Sequence, residues 1–396
     1  MEERSTLATL SQVCSRITDG SHFSPREDTE GAYPMLSVKD MMRDGFDYST
    51  CKYINEKDYQ ALVSNGCQPL ENDVLVAKDG SYLKTAFVQK EPKDQVLLSS
   101  IAILRPKTDV VSPDYLAYFF KAPRTKAIVE RHYLTGTAIK RVILKGFKEI
   151  KIPILSLPEQ ERVVRMLDLL SSIIDKLKEQ LDELNSLTWA FYNKMFCVPS
   201  VNKKGWTMTT IGSVIAPKKE IHRAQKVFSA DDNIQYIDIS SIDNKHNVIT
   251  SPTCYAFSEA PSRAQQVVKV NDILVSLVRP NLNNVAVVQM TDDTSLVASS
   301  GFCVLRALTD VNTTFLFFSV KSQHFIDYLM LRVAGANYPA VREEDIKGFP
   351  ILLPPLHLQQ VFERKIQAIE NQKQTINKAI KEAQTLFDYT LDKYFG

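Results

Sequence analysis

Asn72-Asp73-Val74-Leu75-Val76 returns as Asn271-Asp272-Ile273-Leu274-Val275, shifted by 199 positions in a chain of 396 residues. A turn pair entering a short β-branched run is a common way to start a strand, so this match alone says little. Its surroundings say more. Ser99-Ser100 followed by Leu104-Arg105 returns as Ser299-Ser300 followed by Leu305-Arg306. Gly136-Thr137-Ala138 aligns with Gly335-Ala336-Asn337, and Pro153-Ile154-Leu155 with Pro350-Ile351-Leu352. The openings match as well: Thr9-Leu10 with Val13, and Thr210-Ile211 with Val214. A common order at a near-constant shift means the chain is written twice.

Each half has one layout. A strand-rich globular part comes first, with short β-branched runs such as Val74–Val76, Ser100–Leu104, Ile273–Val278 and Val285–Val288. Prolines then break the chain, Pro153 and Pro158 in the first half and Pro350, Pro354 and Pro355 in the second. Proline fixes φ and disfavours helix in the residue before it, so a new element starts there. A long helix follows, over about residues 159–196 and 356–395. The first helix carries Leu167, Leu170, Ile174, Leu177, Leu181 and Leu184, alternating three and four apart, and Thr188, Phe191 and Met195 continue the row. That is a coiled-coil seam. The same shift gives Ile366, Ile369, Lys373, Ile376, Ile380, Ala383, Phe387, Thr390 and Tyr394, in register but weaker, because Lys373 and Thr390 replace apolar residues.

An a/d seam buries its apolar surface only against a partner, and the simplest partner is the other helix. The layout therefore predicts an α+β protein: two mixed α/β domains over residues 1–155 and 199–353, joined by two long antiparallel coiled-coil helices over 156–198 and 354–396, as a pseudo-two-fold internal repeat. Two unrelated amphipathic surface helices are the competing reading, and the shared register opposes it. A helix of about 35 residues spans on the order of 50 Å at roughly 1.5 Å per residue. One DNA turn is about 34–36 Å, so two heads on such a rod could measure a split target.

Composition narrows the class. Hydrophobic residues make up 44% and charged residues 24%, ordinary for a soluble globular protein. No apolar run approaches a membrane helix, and the opening MEERSTLATL lacks the apolar core of a signal peptide. Six scattered cysteines form no C-x-x-C pair, which argues against zinc and fits reduced thiols in a cytoplasmic protein. A net charge of +2 neither supports nor excludes nucleic acid, since local distribution decides that.

No catalytic constellation stands out. A DNA methyltransferase needs a Gly-rich cofactor loop and an Asn/Asp-Pro-Pro-aromatic motif, and the one Pro-Pro pair, Pro354-Pro355, is flanked by leucines. Asp79-Gly80-Ser81-Tyr82-Leu83-Lys84-Thr85 faintly resembles a phosphate-binding loop, but Leu83 stands where the glycine before the lysine belongs. Asp19-Gly20-Ser21-His22 sets a serine beside a histidine; adjacent residues cannot supply triad geometry without an orienting third group.

Two divergent halves, each ending in a proline-marked apolar segment and a heptad helix, resemble the type I restriction-modification specificity subunits. The likeness rests on Ile152-Pro153-Ile154-Leu155-Ser156-Leu157-Pro158-Glu159-Gln160 and on Phe349-Pro350-Ile351-Leu352-Leu353-Pro354-Pro355-Leu356-His357-Leu358-Gln359-Gln360, which look like the family's IPLPPLxEQ lead-in to each spacer helix. Leu10–Val13 and Trp206–Val214 look like the starts of its target-recognition domains, and Gly136-Thr137-Ala138 and Gly335-Ala336-Asn337 like its small-residue loop. Leu358 departs from the family's acidic residue, and the first lead-in has one proline where a pair is common. The resemblance implies a non-catalytic subunit that binds double-stranded DNA at a bipartite, asymmetric sequence. It implies two copies of a methyltransferase subunit and translocating restriction subunits as partners. It places S-adenosylmethionine and ATP on those partners, with no cofactor here.

Candidate DNA contacts follow from local charge and side-chain type. Lys121 to Lys151 holds nine Lys or Arg against Glu130 and Glu149, and Lys140 and Arg141 flank the small-residue loop within it. Such cations bind phosphates at the cost of salt sensitivity. The second half has its own cluster, Lys203, Lys204, Lys218, Lys219, Arg223 and Lys226. For base reading, Arg279, Asn281, Asn283 and Asn284 offer bidentate groups on a predicted loop, and Lys78, Ser81 and Tyr82 stand at the counterpart. Ser21, His22, Lys39, Asn337 and Tyr338 complete the candidates. Ordinary loop polarity is the plain alternative for each. For the whole chain, the alternatives are a coiled-coil scaffold that does not bind DNA and a DNA-modifying enzyme.

Overall fold

The computed structural model describes residues 6–80, 82–136, 140–196, 202, 204–290, 295–334 and 339–396. The chain forms two compact units, Met1–Gln180 with Ile376–Gly396, and Leu181–Thr375. The division falls inside the two long helices, so each helix gives one half to each unit. Among the described residues no helix is long and apolar enough to cross a membrane.

In the first unit, β1 (Thr6–Thr9) pairs antiparallel with β9 (Lys151–Ile154), the opening of the half against its proline-marked end. An antiparallel sheet runs in the order β2 (Cys14–Asp19), β8 (Ile101–Pro106), β5 (Val74–Ala77), β6 (Ala86–Val88). A second sheet sets β3 (Tyr33–Leu36) antiparallel to β4 (Lys52–Ile54) and parallel to β7 (Val96–Leu97). Helix α1 (Pro113–Lys121) buries Tyr115, Phe119 and Phe120 against the first sheet.

The second unit repeats the plan. β10 (Thr207–Thr210) pairs with β18 (Pro350–Leu353). β14 (Ile273–Ser276) lies between β15 (Val285–Val287) and β17 (Phe302–Leu305). β11 (Asn233–Ile237) is antiparallel to β12 (Thr253–Ala256) and parallel to β16 (Leu296–Ser299), which also carries β13 (Ala264–Val267). The counterpart of β2 shrinks to one bridge, Ile215 with Ala307. Helix α3 (Thr313–Lys321) takes the place of α1.

The recurring dipeptides now have a physical reason. Asn72 and Asn271 both adopt positive φ, 68° and 72°, a conformation asparagine tolerates better than most residues. The aspartate that follows is fully buried and clamps an arginine across the sheet. Asp73 accepts from Arg105 Nε at 2.8 Å and Nη2 at 2.9 Å; Asp272 accepts from Arg306 Nε at 2.8 Å and Nη2 at 2.7 Å. Each aspartate also accepts a backbone N–H, from Leu70 or Lys269. These bonds hold both guanidiniums charged, above their ordinary range.

The glutamine of each lead-in is a second lock. Gln160 and Gln359 are fully buried. Their Oε1 atoms accept from Ser112 N and Asn312 N, each at 2.8 Å, ahead of α1 and α3. Their Nε2 groups donate to carbonyls at the turn into the long helix, Leu155 for Gln160 and Pro354 for Gln359. One amide thus ties the long helix to the globular part in each unit.

The long helices are α2 (Leu157–Met195) and α4 (Leu356–Phe395), unbroken over 39 and 40 residues. They pack antiparallel. In the first unit the start of α2 lies along the end of α4: Val163 and Leu167 share a core with Leu391 and Phe395, and Arg162 meets the Tyr394 hydroxyl. In the second unit the end of α2 meets the start of α4, with Phe196 and Phe362 rings 5.1 Å apart. Leu167, Leu170, Ile174, Ile366 and Ile369 are buried; Leu177, Leu181, Leu184, Ile376, Ile380 and Phe387 are half-buried. No seam position is exposed. Toward the ends the seam doubles as the core of a globular part, which two-helix packing alone does not require. Thr188 and Thr390 fit because each hydroxyl donates to the carbonyl four residues back, Leu184 and Leu386, at 2.8 Å.

Lys373 is the seam's weak point. Its side chain is 15% exposed and donates to Glu370 at 2.7 Å. Burial, with Lys373 nearby, holds the Lys321 ammonium below its ordinary range. Lys373→Leu is therefore expected to raise the melting temperature by a few degrees, about 1 kcal/mol, by adding apolar burial and removing a like charge. A lower melting temperature would mean that the Glu370 contact outweighs both.

Candidate nucleic-acid interface

In each unit the loop after the central buried strand folds back against the segment that follows the small-residue loop. In the first unit Gly80 N donates to Lys140 O at 2.9 Å and Val142 N to Lys78 O at 3.0 Å, which sets Asp79 opposite Arg141. In the second, Arg279 N donates to Pro339 O at 2.7 Å and Val341 N to Leu277 O at 2.9 Å, which sets Val278 opposite Ala340. These are the same two bonds at the 199-residue shift. The sequence shows each segment separately; only the fold brings them together.

The side chains differ. Lys78 is buried, and its ammonium lies 3.1 Å from Asp19 and 3.6 Å from Asp79. It lies inside rather than on the surface, and its charge is spent within the protein. Its counterpart is the apolar Leu277. His22, with a side chain 77% exposed, approaches the same Asp19 at 3.3 Å. Ser21 is buried, and its hydroxyl donates to Phe23 O at 2.6 Å. Lys140 and Arg141 are exposed, as are Arg124, Lys126, Arg131, Lys145, Lys148 and Lys151. Tyr82 is half-buried and donates to Glu130 at 3.1 Å. Lys39 is exposed on the separate turn Val38–Asp40.

In the second unit Arg279 is exposed and takes the place of Gly80. Both residues have positive φ, 50° for the arginine and 64° for the glycine. An L residue held in that region costs about 1–2 kcal/mol. Asn281 is exposed. Asn283 and Asn284 serve the loop itself: Asn283 Nδ2 donates to Lys321 O at 3.2 Å, and buried Asn284 accepts Ser276 N at 3.0 Å through its backbone carbonyl. Lys218 reaches Glu343 at 2.8 Å, just beyond the paired segment, while Lys219 and Arg223 are exposed nearby in the chain. Ser81, Lys203, Asn337 and Tyr338 lie outside the described residues.

Sequence reasoning passed over Asp19, Asp73, Asp272, Gln160 and Gln359 as structural anchors. The signal was present for four of them, since Asp73 with Asp272 and Gln160 with Gln359 recur at the shift. Asp19 has no such marker. Cys14 and Cys303 are unsuited to nucleophilic work, because burial pushes both thiols up to about 12. Among the described residues no group of three or more His, Cys, Asp or Glu is placed to hold a metal ion.

Two versions of one globular plan, each closed by halves of two long helices and each carrying a surface loop site, define a duplicated-module protein. The family model described as the type I restriction modification DNA specificity domain matches residues 6–186 and again 203–384. The chain belongs to that family. It is 24% identical over 381 residues to the type I restriction enzyme MjaVIII specificity subunit of Methanocaldococcus jannaschii, covering 91% of this chain and 86% of that one. It is 21% identical to the StySPI specificity subunit of Salmonella potsdam, covering 89% and 78%. A solved structure described as the basis of complex assembly and conformational transition of the type I R-M system matches with a TM-score of 0.62 at 17% identity, over 98% of this chain and 97% of that one. The type I S subunit from M. genitalium matches at 0.56 and 13% identity, over 100% and 97%. These structures bear out the fold read from the duplication.

Proposed function

We propose that this chain selects the DNA sequence on which a type I restriction-modification enzyme acts, each unit reading one half of a bipartite, asymmetric duplex site. The observation that carries this is one loop site built twice on equivalent backbone bonds with unlike side chains: Lys78-Asp79-Gly80 beside Lys140-Arg141, and Leu277-Val278-Arg279 beside Pro339-Ala340. A shared scaffold with divergent loops is how two readers of different half-sites would be made. Exposed cations from Arg124 to Lys151 suit phosphate contacts that position without specifying. The chain itself is non-catalytic in this reading. Two methyltransferase subunits and the translocating restriction subunits do the chemistry in the cytoplasm, and they hold the S-adenosylmethionine and ATP.

A map of methylated adenines from cells carrying this chain and its methyltransferase tests the reading. A gapped, asymmetric motif supports it, and methylation without such a motif overturns it. A second prediction concerns salt. Lys140→Ala should weaken binding of the complex to all duplexes alike and lower the slope of log affinity against log salt by about one. Binding insensitive to salt would favour a scaffold that does not use DNA.

A further inference from the structure

Phe23 is an aromatic ring that the fold leaves outside. It is 68% exposed, and among the described residues it packs into none of the hydrophobic cores of the first unit. Its backbone, by contrast, is fixed from both sides. The buried Ser21 hydroxyl accepts from Phe23 N at 3.0 Å and donates to Phe23 O at 2.6 Å. Just beyond, Lys52 on β4 donates to the Ser24 hydroxyl at 2.9 Å and to the Pro25 carbonyl. Single exposed apolar side chains are ordinary. A ring held out on a pinned turn is less so, because it loses little conformational freedom when a ligand covers it.

The turn stands beside the loop site. β2 and β5 flank β8 and run the same way, since Asp19 and Val76 both pair with Ala102. The turn after β2 and the loop after β5 therefore leave the sheet at one end. Asp19 joins them, its carboxylate 3.1 Å from the Lys78 ammonium and 3.3 Å from the His22 ring. Gly80 bonds in turn to Lys140 O, next to exposed Arg141. An apolar ring is thus presented next to cations that suit a polyanion.

That setting narrows what covers the ring. Covering a phosphate with a phenyl ring strips water from a charge and returns nothing. Base edges in the major groove are donors and acceptors with one exception, the thymine 5-methyl group, which phenylalanine contacts well. The polar groups of the loop site suit that same groove, where every base pair is distinct. An aromatic wedge in the minor groove would instead unstack a base step whatever methyl groups it carries.

We propose that Phe23 reads a thymine in the half-site of the first unit, its ring packing on the 5-methyl group in the major groove. The inference rests on the DNA-reading function proposed above. In the second unit the counterpart of β2 is the single bridge of Ile215 with Ala307, so the inference concerns the first half-site alone.

The test uses the chain assembled with its methyltransferase subunits and duplexes carrying the mapped motif, each thymine replaced in turn by uracil, which removes the methyl group alone. A methylated adenine pairs with a thymine, so the motif always offers such positions. The wild-type complex should lose about fourfold in affinity at one thymine, the effect of one buried methyl group. Phe23→Ala should bind the thymine and uracil duplexes equally at that position and keep the wild-type response elsewhere. Phe23→Leu, still apolar, should keep part of the loss. A wild-type complex indifferent to every replacement overturns the inference. So does a Phe23→Ala complex that keeps every wild-type loss, whatever its overall affinity, or that fails to assemble with the methyltransferase. In each of those cases a gapped motif leaves the DNA-reading function standing. A wild-type complex with no gapped motif overturns both.

Discussion

Asp73→Ala should destabilise the first unit by about 4 kcal/mol, because removing one partner of a buried ion pair leaves the other uncompensated. The aspartate has no exposed surface and accepts three hydrogen bonds, two from Arg105 and one from Leu70 N. Alanine would orphan the Leu70 amide and leave a guanidinium only 30% exposed to find water. It would also loosen the turn that launches β5, the strand that ends at the loop site. Urea unfolding followed by circular dichroism is the check, read as two transitions if the units unfold separately. Asp272→Ala should do the same to the second unit, where Arg306 is the stranded partner. A midpoint within experimental error of wild type would show that solvent replaces the carboxylate at no cost and that the clamp does not hold the sheet.

Arg279→Gly should separate stability from recognition. Glycine is the residue already present at the equivalent position of the first unit, and it adopts this backbone without strain. Relief of that strain should therefore act to hold the melting temperature, offset in part by loss of the arginine's own contacts and by glycine's greater freedom in the unfolded chain. Methylation of the target should nevertheless fall about 100-fold, with the half-site of the second unit relaxed. That is the upper end of what a bidentate arginine–guanine contact contributes. Arg279→Lys should keep non-specific binding and lose discrimination, because an ammonium cannot make the paired contact. A motif unchanged in Arg279→Gly would remove Arg279 from base reading. It would also leave the left-handed arginine without a functional reason.

Much of the architecture is legible in the sequence alone. Heptad spacing is a local property of one helix, so the seam from Leu167 to Phe387 could be read residue by residue, and every position of it is buried or half-buried. The duplication was legible because the devices that force it are short: a positive-φ asparagine, a clamping aspartate, a locking glutamine. The candidate site was legible only in pieces. Its two segments were singled out separately, but their backbone bonds join residues 60 and 64 positions apart in the chain, and no periodicity encodes such a pairing.

The sequence by itself determined the repeat, the two helices and their common register, because these follow from side-chain spacing within a few turns or strands. Tertiary structure alone decided which polar groups of the loops face outward. Lys78 turns inward because Asp19 waits there, and Asn284 is buried with its backbone carbonyl bonded to Ser276 N, whereas Arg141 stays on the surface. The physical reason is that a charge is committed by its partner's position. That position is set by the folding of distant strands against one another.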